Sequence, residues 1–264
     1  MRFCRFQQLG RIAWGRIQGE EIEELSAAPW LGGRPSGRTV AGCEVRLQAP
    51  VEPSKIVCVG RNYPEHAAEL GNPLPAEPLL FLKPPSAIIG PEEPIVYPPA
   101  SEHVDYEGEL AAVIGGRVGP WASPAGELDC VFGLTCLNDV TARDLQVREV
   151  QFTRAKGFDT FCPVGPVVVA GLDPRALTVE TYVNGEPRQR GPVREMMFSL
   201  DAIIRFVRSV MTLEPGDLIS TGTPPGVGPL HVGDTVEVVI EGIGRLRNPV
   251  VAGKEWHERS SRSC

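Results

Sequence analysis

Three carboxylates alternate along Val104-Asp105-Tyr106-Glu107-Gly108-Glu109-Leu110. In an extended chain residues two apart share a face, so Asp105, Glu107 and Glu109 crowd one side of a strand while Val104, Tyr106 and Leu110 take the other. Crowded carboxylates repel, and burial raises the cost of ionising them. A hard divalent cation relieves both penalties, and oxygen donors suit magnesium, manganese or calcium. A solvent-facing acidic strand accounts for the same residues on equal terms. A second group tilts the balance: Asp139, Arg143 and Gln146 lie at i, i+4 and i+7, one face of a helix. Asp139 is a candidate third ligand, and Arg143 with Gln146 can hold a substrate carboxylate or carbonyl. Helix capping by Asp139 beside an ordinary surface Arg is the plainer use of that spacing.

Two further segments carry chemistry. In Gly60-Arg61-Asn62-Tyr63-Pro64-Glu65-His66-Ala67-Ala68-Glu69, His66 and Glu69 are three apart and meet on a helical face. A carboxylate can orient the imidazole for general acid/base work, although a surface ion pair is the commoner outcome of that spacing. The Gly-rich run 220–229 lacks the lysine of a P-loop, so it is not read as a nucleotide site. It suits close backbone approach to a small anion, or simply a rigid turn.

The elements that must position these groups are mostly short strands. Pro is 26 of 264 residues, about twice the usual share of roughly 5%, and helix interiors tolerate it badly. Strands are expected over 45–49, 55–60, 79–83, 104–114, 130–137, 164–169, 178–183 and 236–240. Helices are expected over 62–70, 141–150 and 199–211. Residues 32–37 read as a turn cluster and Asn184-Gly185 as a hairpin turn. The element mix departs from βαβ alternation and predicts a strand-dominated α+β fold. Three parts are expected: a small β-rich N-terminal domain over 1–51, a catalytic domain over 52–253, and a tail over 254–264. The segment 62–76, a short helix running into a Pro-rich loop, is expected to act as a mobile lid.

Composition narrows the function. Lys+Arg 26 against Asp+Glu 33 leaves a net charge of −7, which argues against nucleic acid as the main partner and against a polybasic membrane anchor. No apolar run approaches the ~20 residues of a membrane helix, and a cytoplasmic protein is expected. Seven cysteines without zinc-ribbon spacing read as reduced, mostly buried thiols. Only four basic residues are lysines, among them Lys83 and Lys156.

Together the four clusters resemble the fumarylacetoacetate hydrolase family. The matching segments are Gly60-Arg61-Asn62-Tyr63 with His66 and Glu69, Leu80-Phe81-Leu82-Lys83-Pro84 and Asp105-Tyr106-Glu107-Gly108-Glu109-Leu110. They continue with Asn138-Asp139-Val140-Thr141-Ala142-Arg143-Asp144, Ala155-Lys156-Gly157-Phe158-Asp159 and Thr221-Gly222-Thr223-Pro224 through Gly228. The resemblance covers roughly residues 52–250 and implies a mixed β-roll with few short helices, usually dimeric, so a homodimer is expected. It implies Mg2+ or Mn2+ on Glu107, Glu109 and Asp139, with His66 and Glu69 as an acid/base pair and Lys156 as the active-site lysine. It implies substrate contacts at Arg61, Tyr63, Lys83, Arg143, Gln146 and Thr223. The eukaryotic hydrolase has a fourth carboxylate ligand upstream of the histidine. Ile56-Val57-Cys58-Val59-Gly60 offers none, so water or substrate is expected at that position.

The implied substrates are 2-oxo or 2-hydroxy-dienoic acids from aromatic breakdown, handled through a metal-stabilised enolate. The expected activity is that of a 2-hydroxyhepta-2,4-diene-1,7-dioate isomerase or decarboxylase. A C–C hydrolase of fumarylacetoacetate or acylpyruvate type stands second and an oxaloacetate decarboxylase third. From other classes come a non-catalytic metal and dicarboxylate binder, which has no use for His66, Glu69 or Lys156, and a thiol enzyme using Cys58, whose apolar context argues against it.

Overall fold

A computed structural model of the chain describes residues 1–121 and 126–253. The expected tail over 254–264, with Cys264, lies outside the described residues. The chain opens with strands β1 (Arg2–Gln8), β2 (Arg11–Gln18), β3 (Glu21–Leu25), β4 (Pro35–Ala41) and β5 (Arg46–Gln48). Next come β6 (Ile56–Gly60), helix α1 (Pro64–Glu69), β7 (Leu79–Lys83), β8 (Ile88–Ile89) and β9 (Ile95–Tyr97). The acidic segment forms β10 (Val104–Tyr106) and β11 (Gly108–Ile114), followed by β12 (Val131–Asn138), β13 (Thr141–Ala142), α2 (Arg143–Arg148) and α3 (Thr153–Lys156). The remainder is β14 (Cys162–Val169), β15 (Thr178–Val183), β16 (Glu186–Pro192), α4 (Leu200–Val210), β17 (Leu218–Ser220), β18 (Gly228–Pro229), β19 (Thr235–Ile240) and β20 (Gly244–Ala252).

These strands form a twelve-stranded sheet, a five-stranded sheet (β16-β15-β19-β20-β9) and a three-stranded one (β13-β10-β18). This is the strand-dominated mixed architecture expected from the sequence. The first five strands continue the large sheet, since β1 pairs antiparallel with β14. An aromatic cluster seals that junction: Phe3 packs against Phe132 at a tilt, 5.1 Å between ring centres, and Trp30 meets Phe132 edge-on at 5.6 Å.

β6 reads Ile-Val-Cys-Val-Gly and runs parallel to β17, with its first four residues buried. A strand with no polar face needs cover on both sides, and here it gets it. β11 is likewise buried throughout: Leu110, Ala112 and Ile114 join a core with Ile203 and Val238, while Ala111 and Val113 join another with Ile56 and Val164. In α4, Ile203, Ile204 and Val207 are buried on one face. Asn184 and Gly185, at φ 54° and 81°, turn β15 into β16 as the hairpin signal requires.

Three expectations change. Residues 104–114 are two strands rather than one, because the chain leaves the small sheet at Tyr106 and enters the large one at Gly108. The expected helix over 141–150 starts only at Arg143, because Thr141 and Ala142 are extended and pair with β10. The segment read as a turn cluster, 32–37, contributes its second half to β4, an exposed edge strand whose Pro, Ser and Gly carry no apolar alternation.

Candidate active site

The site lies where two neighbouring strands change sheets at the same level. β11 and β12 pair with Gly108 opposite Asn138, and β10 and β13 pair with Asp105 opposite Thr141. Glu107 and Asp139 occupy the two crossings. They are locked together by the Asp139 amide donating to the Glu107 carbonyl at 2.8 Å and the Glu107 amide donating to Asn138 Oδ1 at 3.0 Å. Glu109 stands on β11 beside them. One carboxylate oxygen from each of Glu107, Glu109 and Asp139 lies within 4.8 Å of the others, and all three residues are buried.

Four carboxylates meet three fixed cations here. Lys156 Nζ donates to Glu107 Oε2 at 2.8 Å and to Asp139 Oδ2 at 2.6 Å. Arg143 donates to Glu107 Oε1 at 2.5 Å, to Asp105 Oδ2 at 2.8 Å and to Gln146 Oε1 at 2.5 Å. Lys83 Nζ donates to Asp139 Oδ1 at 2.5 Å and to the Val140 carbonyl at 3.1 Å. Burial opposes ionisation of Glu107, but Lys156 and Arg143 outweigh it and hold the carboxyl well below its ordinary range. The same carboxylates outweigh burial in raising the Lys156 ammonium above its ordinary value.

Glu109 is the uncompensated member. Burial, then the Asp139 charge, pushes its carboxyl up to about 8. Its Oε2 accepts from Ser220 Oγ at 2.5 Å and from the Gly222 amide at 2.8 Å. The Gly-rich run thus closes onto an acidic group of the protein itself, the Glu109 carboxyl, rather than leaving its amides to an external anion. Gly222 sits at φ 99°, where a Cβ would fall 2.7 Å from Asn62 Cβ. Three buried carboxylates, one of them without a cation, fit a divalent ion that takes hard oxygen donors. Glu107, Glu109 and Asp139 would hold it.

A cavity of about 400 Å3 opens onto this cluster. Of the expected site residues, Arg61, His66, Glu107, Arg143, Gln146 and Lys156 line it. Pro64 starts α1 as its first residue, where a missing N–H costs nothing, and the helix buries His66. His66 Nδ1 lies 3.3 Å from Glu69 Oε2, and the Glu69 carboxylate also accepts from the Gly226 amide at 3.1 and 3.2 Å.

The other expected substrate contacts sit elsewhere. Lys83 is buried behind the carboxylates, at 1% exposure, with Asp139 as its partner. Tyr63 lines a separate cavity of about 260 Å3 with Arg190 and Glu195. The Thr223 hydroxyl donates to the Gly108 carbonyl at 2.9 Å, inside the loop packing. Asp139 acts from the β12–β13 loop rather than from a helical face. Leu79, Phe81, Val147 and Phe152 form an apolar wall of the cavity that the sequence does not mark, although Phe81 stands two residues before Lys83. Lys156 Nζ lies 4.9 Å from the centre of the Phe81 ring. Cys58 is fully buried in the core, and burial pushes its thiol well up, which removes it as a nucleophile.

Comparison with known proteins now adds to the geometry. A family model described as fumarylacetoacetate (FAA) hydrolase C-terminal matches residues 55–251, and one described as Rv2993c-like, N-terminal matches residues 1–50. Protein Rv2993c of Mycobacterium tuberculosis is 48% identical over 95% of this chain and 98% of its own length. The oxaloacetate tautomerase YisK of Bacillus subtilis is 44% identical over 78% of this chain and 73% of its own. The crystal structure of a 2-hydroxyhepta-2,4-diene-1,7-dioate isomerase from Mycobacterium marinum superposes with a TM-score of 0.88 at 45% identity, covering 96% of this chain and 99% of that one. A maleylpyruvate hydrolase from Sphingobium, solved with manganese (II) and pyruvate, gives 0.77 at 32% identity over 96% and 100%.

Proposed function

The chain belongs to the fumarylacetoacetate hydrolase family, and from that premise we propose that it is a divalent-metal-dependent isomerase of 2-hydroxy-dienoic dicarboxylates, of the 2-hydroxyhepta-2,4-diene-1,7-dioate type. The observation that carries the reading is the single cavity in which Glu107, Lys156, Arg143, Gln146 and His66 meet. Glu107, Glu109 and Asp139 would hold a magnesium or manganese ion, which would supply positive charge for an oxygen that becomes negative during the reaction.

The chain's own residues do the rest. Lys156 has three ammonium protons; two are committed to Glu107 and Asp139, and the third is free for the substrate's C2 oxygen. Arg143 spends its donors on Glu107, Asp105 and Gln146, so it fixes the Gln146 amide, whose nitrogen then donates to the C1 carboxylate. Arg61 lines the cavity and makes no ion pair among the described residues, which leaves its guanidinium for the carboxylate at the far end of the substrate. Leu79, Phe81 and Phe152 cover the carbon chain between the two ends and keep water from it. His66, oriented by Glu69, moves a proton. The 2-hydroxyl gives its proton to solvent and becomes a carbonyl, the C2=C3 and C4=C5 double bonds become one at C3=C4, and C5 gains a proton from His66, which takes one back from solvent.

The relative named an oxaloacetate tautomerase favours a second reading, in which the same groups interconvert keto and enol forms of a shorter 2-oxo dicarboxylate. Mass spectrometry of products from a panel of 2-oxo and 2-hydroxy-dienoic acids with Mg2+ separates the possibilities. Unchanged mass marks an isomerase or tautomerase, loss of CO2 a decarboxylase, and gain of water with cleavage a hydrolase. Cleavage or CO2 loss alone overturns the isomerase reading. The homodimer is part of this proposal and is checked by light scattering.

A further inference from the structure

We propose that Tyr106 is a positioning residue for the His66–Glu69 pair, acting through Gly226; the inference rests on the acid/base reading of that pair. Three hydrogen bonds form the chain of contacts. The Tyr106 hydroxyl donates to the Gly226 carbonyl at 2.9 Å. The Gly226 amide donates to both Glu69 carboxylate oxygens at 3.1 and 3.2 Å. Glu69 Oε2 lies 3.3 Å from His66 Nδ1. Gly226 is therefore gripped on its carbonyl side by the acidic segment and grips helix α1 with its amide.

The backbone at that point admits little else. Gly226 sits at φ 96°, and a Cβ there would fall 2.2 Å from the Arg188 carbonyl. The loop is pinned on both sides of it. Beyond Gly226, Gly228 pairs with Tyr106 in the β10–β18 ladder. Before it, the Thr223 hydroxyl donates to the Gly108 carbonyl at 2.9 Å, while Gln189 Nε2 donates to Thr223 Oγ1 and to the Pro224 carbonyl, both at 2.7 Å. Gln189 also accepts from the Gly108 amide at 3.0 Å. The residues on either side of Glu107, Tyr106 and Gly108, thus hold the loop that holds Glu69. The segment that carries the first carboxylate of the metal cluster also sets where the acid/base pair stands.

Tyr106→Phe tests this. It deletes one oxygen from a ring that stays packed in the core around β10. One lost orienting hydrogen bond predicts a fall in kcat of about three- to tenfold. KM and Mn2+ affinity should stay within about twofold, because no ligand or substrate contact is touched. In a Glu69→Gln background the same substitution should have no further effect on kcat, since the link it serves is already cut. 4-Aminophenylalanine at position 106 keeps a donor at the same point and should restore most of the loss. Unchanged kcat in Tyr106→Phe, or a full additional loss in the Glu69→Gln background, overturns the inference while leaving the acid/base reading intact. If His66→Ala and Glu69→Gln themselves leave kcat unchanged, the acid/base reading falls and the inference falls with it. Should Tyr106→Phe fail to fold, the 4-aminophenylalanine protein decides: near-wild-type kcat supports the positioning role, and a loss as large as that of Glu69→Gln, despite the retained donor, contradicts it.

Discussion

Lys83→Met separates a buttress from a substrate contact. The Lys83 ammonium is buried between Asp139 Oδ1 at 2.5 Å and the Val140 carbonyl at 3.1 Å. Methionine fills similar volume but gives neither oxygen a partner. Breaking one side of a buried ion pair costs about 3–5 kcal/mol, because the remaining charge stays buried. For a domain of this size 1 kcal/mol moves Tm by about 2–4 °C, so the metal-free variant should melt about 6–20 °C below wild type. Lys156 remains on Asp139, which places the expected fall in the lower half of that range. Saturating Mn2+ should raise Tm more in the variant than in wild type, since the ion then supplies the charge the lysine no longer does. Differential scanning fluorimetry with and without Mn2+ reads both effects, and steady-state kinetics reads KM. A Tm within 2 °C of wild type combined with a raised KM would refute the reasoning and return Lys83 to the substrate's surroundings.

Four other outcomes follow from the structure. His66→Ala should lower kcat by about 10²–10⁴-fold, the usual loss of general acid/base help, while Mn2+ affinity measured by calorimetry stays within a few-fold; a collapse of metal affinity would make His66 a ligand or scaffold instead. The Glu109 carboxyl, pushed up to about 8 by burial and Asp139, makes metal and proton compete, so Mn2+ affinity should rise about tenfold per pH unit from 6 to 8 and level off above. A flat profile contradicts this. The same shift means that between the ordinary value of 4.5 and about 8 the folded chain keeps a proton the unfolded chain has lost. Glu109 therefore subtracts stability as pH rises through that window, and Glu109→Gln should remove that part of the decline in thermal melts without metal. Asn62→Ala should cost about 3 kcal/mol in denaturant titration, because its amide holds the Phe198 and Thr221 carbonyls and the Phe198 amide, and all three lose a partner.

Much of the site was legible because the acidic strand, the Asp139 segment, the His-Glu pair and the Gly-rich run occur in one chain; each has a plain structural use alone, and Lys156 acquires its role only through the resemblance that the combination carries. Glu107, Glu109 and Asp139 do come together, and Lys156 and Arg143 do reach them. The route by which they meet was not legible. A two-residue period over 104–114 suggests one strand, and nothing in the composition marks Glu107 as the point where the chain changes sheets. The resemblance implies a substrate contact at Lys83; whether its ammonium faces the cavity or the back of Asp139 depends on which face of β7 turns inward. The apolar wall was hidden for the same reason: Phe81 and Phe152 look like core residues. β20, with Pro249 and two arginines within it, carries too little alternation to be read as a strand, yet it completes the five-stranded sheet.

The central claim is enolate chemistry at the carboxylate cluster, with proton delivery to carbon by His66. Proton NMR of 2-hydroxyhepta-2,4-diene-1,7-dioate turned over in D2O tests it directly, with Mg2+ and with excess chelator. A 2-oxohept-3-ene-1,7-dioate product carrying one deuterium at C5 should form with Mg2+ and be lost with chelator. Turnover at an undiminished rate in chelator, or an enzymatic product without deuterium at C5, would contradict it.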